Sequence, residues 1–171
     1  WDDVLPLNID GKLNSSAFTY VKMSPYWEDR DPAKKEALIE WIDQTEYIVL
    51  SSNRLYGSIP RLPTRYPVTT RYYEALFSGE LGYDLVAEFT SRPRILGIEI
   101  NDDNAEESWT VYDHPKVLIF RKGADYSLDN VRAILGGFDT ERIVAVTPKQ
   151  VTSAPNNLML TEEEWAVQRE G

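Results

Sequence analysis

The feature that most constrains the fold is an uninterrupted apolar run, Tyr47–Leu50, which is short and rich in β-branched residues. Such a run is typical of a strand that is buried on both faces of a sheet. A helical pattern precedes it. Asp31-Pro32 predicts an N-cap and a first helical residue, and the helix is expected to extend to Asp43. Its predicted apolar face consists of Ala33, Ala37, Leu38, Trp41 and Ile42.

Strands and helices continue to alternate along the chain. Further strands are expected over residues 17–23, 83–89, 94–100, 109–112 and 117–120. A second helix is expected to begin at Thr69 or Thr70 and to end at Gly79 or Gly82. A third, capped by Ser127, is expected to end at Gly136-Gly137. The order β-α-β-α-β-β-β-α predicts a single α/β domain, with a mixed β-sheet and helices packed on it.

The polarity of the chain changes after the third helix. We therefore expect the α/β domain to occupy residues 1–137 and a polar, loosely packed extension to occupy residues 138–171. Within this C-terminal tail, residues 142–146 are predicted to be extended. A capping box over residues 161–164 predicts a short terminal helix.

Composition excludes several classes of function. The net charge of −10 opposes binding to nucleic acid, because phosphate contacts require a surplus of basic residues. The chain has no cysteine, which excludes disulfides, thiolate catalysis and cysteine-bound zinc. No run of 18 apolar residues occurs, so no segment is predicted to span a bilayer. We expect no cofactor and no bound metal.

Standard catalytic motifs do not occur in the sequence, which predicts no catalytic residue. The phosphate-binding loop, the dinucleotide-binding glycine motif and the G-x-S-x-G nucleophile motif are all missing. The one histidine, His114, lies between Asp113 and Pro115, a combination typical of a turn. A hydrolase or transferase that uses His114 with nearby carboxylates is an alternative, but it lacks an identified nucleophile. Acidic residues at 102, 103, 106 and 107 do not match the spacing of a calcium loop and are expected to be solvated.

Residues 47–73, the acid-free window, contain no aspartate or glutamate, although Glu46 and Glu74 bracket them. The window begins in the predicted buried strand and ends in a predicted helix N-terminus, both of which favour ligand sites in α/β folds. Arginines favour phosphate or carboxylate ligands. Ion pairing of the arginines with surface carboxylates, and packing of the tyrosines, remain as alternatives. The predicted ligand-binding residues are Arg54, Tyr56, Arg61, Arg65, Arg71, Tyr72, Tyr73 and His114.

Several longer motifs resemble one group of proteins. They are YIVLSSNRLYGSIPRLP at residues 47–63, RYP at 65–67, TTRYY at 69–73, TVYDHPKVLIF at 110–120, WDDVLP at 1–6 and LMLTEEEW at 158–165. Together they resemble a segment of large bacterial polytopic membrane proteins, the YYY membrane proteins. These are similar to protein-mannosyltransferase-like enzymes that use polyprenyl-phosphate sugar donors.

The resemblance implies an extracytoplasmic domain of a longer, membrane-bound polypeptide. In such transferases the catalytic carboxylate lies in a loop between early transmembrane helices, so the resemblance places no catalytic residue in this chain. The implied partners are the transmembrane portion of the same polypeptide and a lipid-phosphate sugar or glycan acceptor. Two functions remain open: assistance in donor or acceptor binding, and a scaffold module with no small-molecule ligand.

Overall fold

A computed structural model describes residues 23–140 except 104 and 107, together with residues 8, 9, 12, 13, 19, 21 and 143. The strands are β1 (Asn8–Ile9), β2 (Lys12–Leu13), β3 (Tyr47–Leu50), β4 (Tyr83–Phe89), β5 (Arg94–Ile95), β6 (Ile98–Glu99) and β7 (Val117–Lys122). The α-helices are α1 (Pro32–Gln44), α2 (Pro67–Ser78) and α3 (Leu128–Gly136). The predicted single α/β domain with helices and a sheet is confirmed. None of the described helices is long and apolar enough to cross a membrane.

Most of the predicted C-terminal extension lies outside the described residues. The extended segment expected over residues 142–146 lies outside the described residues apart from Ile143, and the terminal helix expected from residue 161 lies wholly outside them. The boundary at residue 138 therefore stays a prediction.

The central sheet has the strand order β3-β7-β4, and both pairings are antiparallel. Strands β3 and β4 therefore point in the same direction, as the β3-α2-β4 crossover predicts, but β7 lies between them. In β3 the side chain of Ile48 is buried, whereas Tyr47 and Val49 are exposed. The prediction that this strand is buried on both faces is wrong, because in the described part of the chain the helices cover one face of the sheet.

Helix α1 begins as predicted, since the carboxylate of Asp31 accepts a hydrogen bond from the backbone N–H of Ala33 at 3.0 Å. Its buried face is rotated from the predicted one. Ala33 is exposed, and the buried residues are Lys34, Leu38, Ile39 and Ile42. A lysine therefore occupies a position on the buried stripe of the helix, and it is buried with a fixed set of partners.

Helix α2 begins at Pro67 after an N-cap at Tyr66, which lies three or four residues before the predicted cap at Thr69 or Thr70. Proline suits the first helical position, because its φ is already helical and no intrahelical partner is needed there. The helix ends as predicted at Gly79, which adopts a left-handed conformation with φ 81°. On this helix Tyr73 and Leu76 are buried, whereas Phe77 is half exposed. Full burial of a residue such as Leu76 stabilises the fold by about 1.5–3 kcal/mol.

The core lies between the covered face of the sheet and the three helices. Helix α3 contacts both α1 and α2, and contributes the fully buried Val131 and Leu135. Ser127 caps α3 as predicted, accepting a hydrogen bond from the N–H of Asn130. The sheet contributes Ile48, Leu118 and Phe120. This packing holds the carboxyl end of β3 at a fixed position beside α2.

Three of the predicted strands differ from the structure. The strand expected over residues 94–100 is a hairpin, because Leu96 and Gly97 both have positive φ and reverse the chain between β5 and β6. The strand expected over 109–112 is a π-helical turn, Trp109–Asp113, which the hydrogen bond from His114 N–H to Trp109 C=O closes at 2.7 Å. Of the strand expected over 17–23, the described residues 19, 21 and 23 lie outside any strand. Met23 packs against the core instead.

For two buried tyrosines we expect loss of the hydroxyl group to change the free energy of unfolding in opposite directions. The Tyr72 hydroxyl is buried and has no partner among the described residues, whereas Tyr83 donates to the carbonyl of Ile42 or Thr45, each at 2.7 Å. We expect Tyr72→Phe to leave the free energy of unfolding unchanged or raise it by about 1 kcal/mol. Tyr83→Phe is expected to lower it by about 1–2 kcal/mol. Urea denaturation of both variants measures the difference, and equal losses would contradict it.

Candidate functional site

A cleft of about 560 Å³ opens at the end of β3, within the acid-free window. Its lining comes from the turn before α1, the end of β3 with the following loop, α2 and the π-helical turn. The residues are Ser24, Pro25, Tyr26, Val49, Leu50, Ser51, Ser52, Arg54, Leu55, Tyr56, Tyr73, Val111, Tyr112 and Pro115. The volume lies within the range that is typical of small-ligand pockets. We call this the tyrosine cleft.

Aromatic rings form much of its wall. The ring of Tyr56 packs edge-on against Tyr73, with centroids 6.3 Å apart, and against Phe77, at 5.2 Å. Phe77 in turn packs on Phe120 of the central sheet at 5.7 Å. Burial raises the pKa of Tyr56, an effect that the charge of Lys116 partly offsets. The rings are thus held by the core, while the cleft retains tyrosine hydroxyls that can bind polar groups.

Arg54 is the one charged residue in the described lining of the tyrosine cleft. Its guanidinium Nη1 donates to the hydroxyl of Tyr112 at 3.1 Å, and among the described residues no carboxylate pairs with it. The Oγ of Ser58 donates to the backbone carbonyl of Arg54 and lies 3.2 Å from the Tyr26 hydroxyl. The loop that carries the arginine is therefore tied to the turn on the opposite wall.

A second, more polar cleft of about 390 Å³ adjoins the same arginine. Arg54 and Arg61 both line it, together with Asp103 and Glu106. The side chain of Asn53 also lines it. Its Nδ2 donates to Thr110 at 3.0 Å, and its buried Oδ1 has no partner among the described residues. Two arginines and two acidic residues line this cleft, whereas Arg54 is the one charged residue in the described lining of the tyrosine cleft.

Three predicted ligand residues of the acid-free window line neither cleft. Arg65 forms a two-point contact with the carboxylate of Glu28, which lowers the pKa of Glu28 through that hydrogen bond. Arg71 pairs with Glu80 and lies 3.9 Å from Glu74. Tyr72 is fully buried in the core. The arginines of the acid-free window therefore differ in their contacts. Acidic residues outside the window pair with Arg65 and Arg71, whereas no described carboxylate pairs with Arg54.

His114 lies beside the two clefts without lining either of them. Its Nδ1 is 2.7 Å from Oδ2 of Asp102, and its ring packs on Trp109 with centroids 5.6 Å apart. The carboxylate that a catalytic histidine needs is thus present. Among the described residues, no hydroxyl nucleophile contacts the ring. The π-helical turn and this hydrogen bond account for the position of the histidine.

The described part of the acidic loop around Asp103 forms ion pairs. Asp103 contacts Arg92 at 2.7 Å and Lys116 at 2.9 Å. The hydrogen bond from Lys116, followed by that from Arg92, lowers the pKa of Asp103. In the described part of the chain, no group of three or more histidine or carboxylate residues could hold a metal ion.

Sequence reasoning missed a buried charged cluster, which we call the lysine cluster. Nζ of Lys34 has four acceptors within hydrogen-bond distance: Oδ1 of Asp29 at 2.5 Å, Oγ1 of Thr69 at 2.6 Å, and the carbonyls of Pro25 and Trp27 at 2.7 and 2.5 Å. Burial lowers the pKa of Lys34, and Asp29 acts in the opposite direction. The sequence contained one signal for this cluster: Lys34 lies four residues before Leu38, on the apolar stripe of the helix. The cluster fixes the turn that carries one wall of the tyrosine cleft.

The lining also includes residues that were not predicted, chiefly Tyr26 and Tyr112. Tyr112 lies in a segment that the sequence predicts to be a strand, and Tyr26 lies in no predicted helix or strand. Both reach the cleft through long-range packing, for which the local sequence contains no signal. Comparisons with known proteins do not add to these findings, since no family model, curated protein or solved structure matches the chain.

Proposed function

We propose that this chain is a non-catalytic ligand-binding domain whose tyrosine cleft holds a sugar that carries a phosphate group. The observation that carries the proposal is the composition of the cleft, whose lining combines four tyrosines with one arginine that forms no ion pair with a described carboxylate. Both components are typical of sites that bind a polar, anionic ligand with apolar faces.

The chemistry of such a ligand matches the lining. The C–H faces of a sugar ring pack on aromatic side chains, and its hydroxyls exchange hydrogen bonds with tyrosine and serine hydroxyls. Ser51, Ser52 and the tyrosines provide such groups. The guanidinium of Arg54 would pair with the phosphate, for which arginine provides a charge-assisted, two-point contact. The chain as a whole has a net charge of −10, so the positive charge of Arg54 favours this cleft over the rest of the surface as the place where an anion binds.

We further propose that the domain belongs to a membrane-bound, glycosyltransferase-like protein and lies on the extracytoplasmic face of the membrane. The support is the resemblance of residues 47–73 and 110–120 to that group. The domain would then assist the transmembrane portion of the same polypeptide by holding the lipid-phosphate sugar donor or a glycan acceptor. The catalytic carboxylate would belong to that portion.

A scaffold module without a small ligand is the second candidate. The ion pairs of Arg65 and Arg71 favour it, because they use half of the window's arginines in ordinary surface contacts. The tyrosine cleft and Arg54 favour ligand binding. The two candidate functions therefore differ in whether Arg54 binds a ligand.

A calorimetric and thermal-shift titration separates the two candidates. The probes are inorganic phosphate, pyrophosphate, a nucleotide sugar and a short-chain polyprenyl-phosphate sugar. We expect at least one sugar phosphate to bind and to raise the melting temperature. Arg54→Ala is expected to weaken that binding by about tenfold to a hundredfold, as loss of a charge-assisted hydrogen bond predicts.

Arg71→Ala is the matched control, since Arg71 lies in the same window but pairs with Glu80 away from the cleft lining. Its affinity for the probe should stay within about twofold of the original chain. Equal losses in the two variants would indicate non-specific attraction of anions. Failure of every probe to bind would favour the scaffold.

A further inference from the structure

The hairpin formed by β5 and β6 ends in an apolar turn that faces solvent. Its two strands pair with each other and with no other described strand. Ile95 lies opposite Ile98, and the two residues between them, Leu96 and Gly97, have φ of 52° and 83°. Positive φ at both central positions is the geometry of the tightest hairpin turns, which asparagine and glycine usually occupy.

Leu96 does not stabilise the chain in this position. The left-handed conformation is unfavourable for a residue with a Cβ atom and a bulky side chain. The side chain of Leu96 is 98% exposed, so it contributes no buried area to the core. A strained residue that contributes nothing to folding suggests a role outside the chain.

The exposure of the hairpin's apolar residues increases towards the turn. Ile100 is 42% exposed, Ile95 60%, Ile98 71% and Leu96 98%. A residue exposed to this extent cannot line a pocket, so the hairpin presents a convex aliphatic tip and not a groove. Such a tip fits a soft apolar phase or a pocket on another molecule.

Charged residues surround the base of the hairpin. Arg94 pairs with Glu99 at 3.1 Å, and Arg92 pairs with Asp103 at 2.7 Å. Lys116 also contacts Asp103. The hairpin thus has an aliphatic end and a polar base with paired charges, which is the order of groups found in segments that enter a bilayer interface.

We propose that the tip formed by Ile95, Leu96 and Ile98 inserts into the surface of an uncharged lipid bilayer. A second copy of the chain is a poorer occupant, because three side chains cover far less than the roughly 800 Å² per partner of a stable interface. Shallow, reversible insertion into a bilayer needs only a few apolar side chains. The paired charges at the base and the net charge of −10 provide no attraction to anionic lipid.

Flotation of the 171-residue chain with vesicles tests the insertion. We expect binding to phosphatidylcholine vesicles, and weaker binding when phosphatidylglycerol is added at low salt. Leu96→Asn is expected to lower the partition coefficient about tenfold, by removing the outermost apolar side chain. Its melting temperature should be equal or higher, because asparagine tolerates positive φ. Folding and membrane binding therefore respond differently to this one substitution.

Leu62→Asn is the matched control, because Leu62 is a half-exposed leucine of another segment. Its partition should be unchanged. Unchanged partition of the Leu96→Asn chain, or no flotation of the original chain at millimolar lipid, would overturn the proposal. Light scattering provides a further test. Loss of a concentration-dependent dimer in Leu96→Asn, without any effect on vesicles, would assign the tip to self-association and reject the bilayer.

Discussion

Lys34→Met is expected to lower the free energy of unfolding by about 3–5 kcal/mol. The substitution retains most of the apolar stem but removes the ammonium group. The carboxylate of Asp29, whose side chain is completely buried, is then left without its counter-charge. The carbonyls of Pro25 and Trp27 also lose their donor. The midpoint of urea denaturation, compared at equal slope, measures the loss.

The neighbouring Lys35 provides the control. Among the described residues its Nζ makes only long contacts, 3.5 Å to the carbonyl of Gly136 and 3.4 Å to that of Phe138. Lys35→Met should change the stability by less than about 1 kcal/mol. The double variant Lys34→Met/Asp29→Leu should lose less than the sum of its single variants, because neither charge remains unpaired. Additive losses would show that the two charges are not coupled.

Gly82→Ala is expected to destabilise the fold by about 3 kcal/mol or more. Gly82 lies directly before β4 with φ 74°, a conformation that costs alanine about 1–2 kcal/mol. A Cβ atom there would also lie 2.8 Å from Cα and 3.2 Å from N of Tyr126. Because these are backbone atoms, relief requires movement of the loop between β7 and α3, which adds the cost of overpacking.

Gly79→Ala separates the two contributions. Gly79 has a similar φ of 81°, but a Cβ atom there meets nothing within 4 Å. The decrease in the free energy of unfolding of Gly79→Ala should therefore reflect the conformational cost alone, about 1–2 kcal/mol. Chemical denaturation of both variants gives the comparison. Equal losses for the two glycines would mean that the contact with Tyr126 relaxes without cost.

Local signals predicted most of the helices and strands. The caps at Asp31 and Ser127 and the glycine at the end of α2 act within a few residues of the backbone groups that they satisfy. Strands β4 and β7 were predicted at or near their observed bounds, because the sequence signals of a strand are also local. The errors occurred where local preference was overridden. The β-branched run from residue 109 forms a π-helical turn, and the apolar run from residue 94 folds back at Gly97.

The candidate site could be predicted only in part. The acid-free window pointed to Arg54, Tyr56 and Tyr73, which line the tyrosine cleft. It could not distinguish Arg54 from Arg71, because the partner of Arg71 lies in another segment. Tyr112 and Tyr26 reach the cleft from distant parts of the chain. Pairing and proximity of this kind are properties of packing, and they leave no mark on local sequence.

By itself, the sequence determined the α/β class, the acidic balance, the lack of cysteine and the main helices and strands, since these depend on composition and on short-range periodicity. The tertiary structure decided which strands pair and which arginine forms no ion pair with a described carboxylate. It also decided which partners surround the buried ammonium group of Lys34, and that three aliphatic residues of one hairpin are exposed. These properties depend on contacts between residues far apart in the chain, and such contacts form only when the core packs.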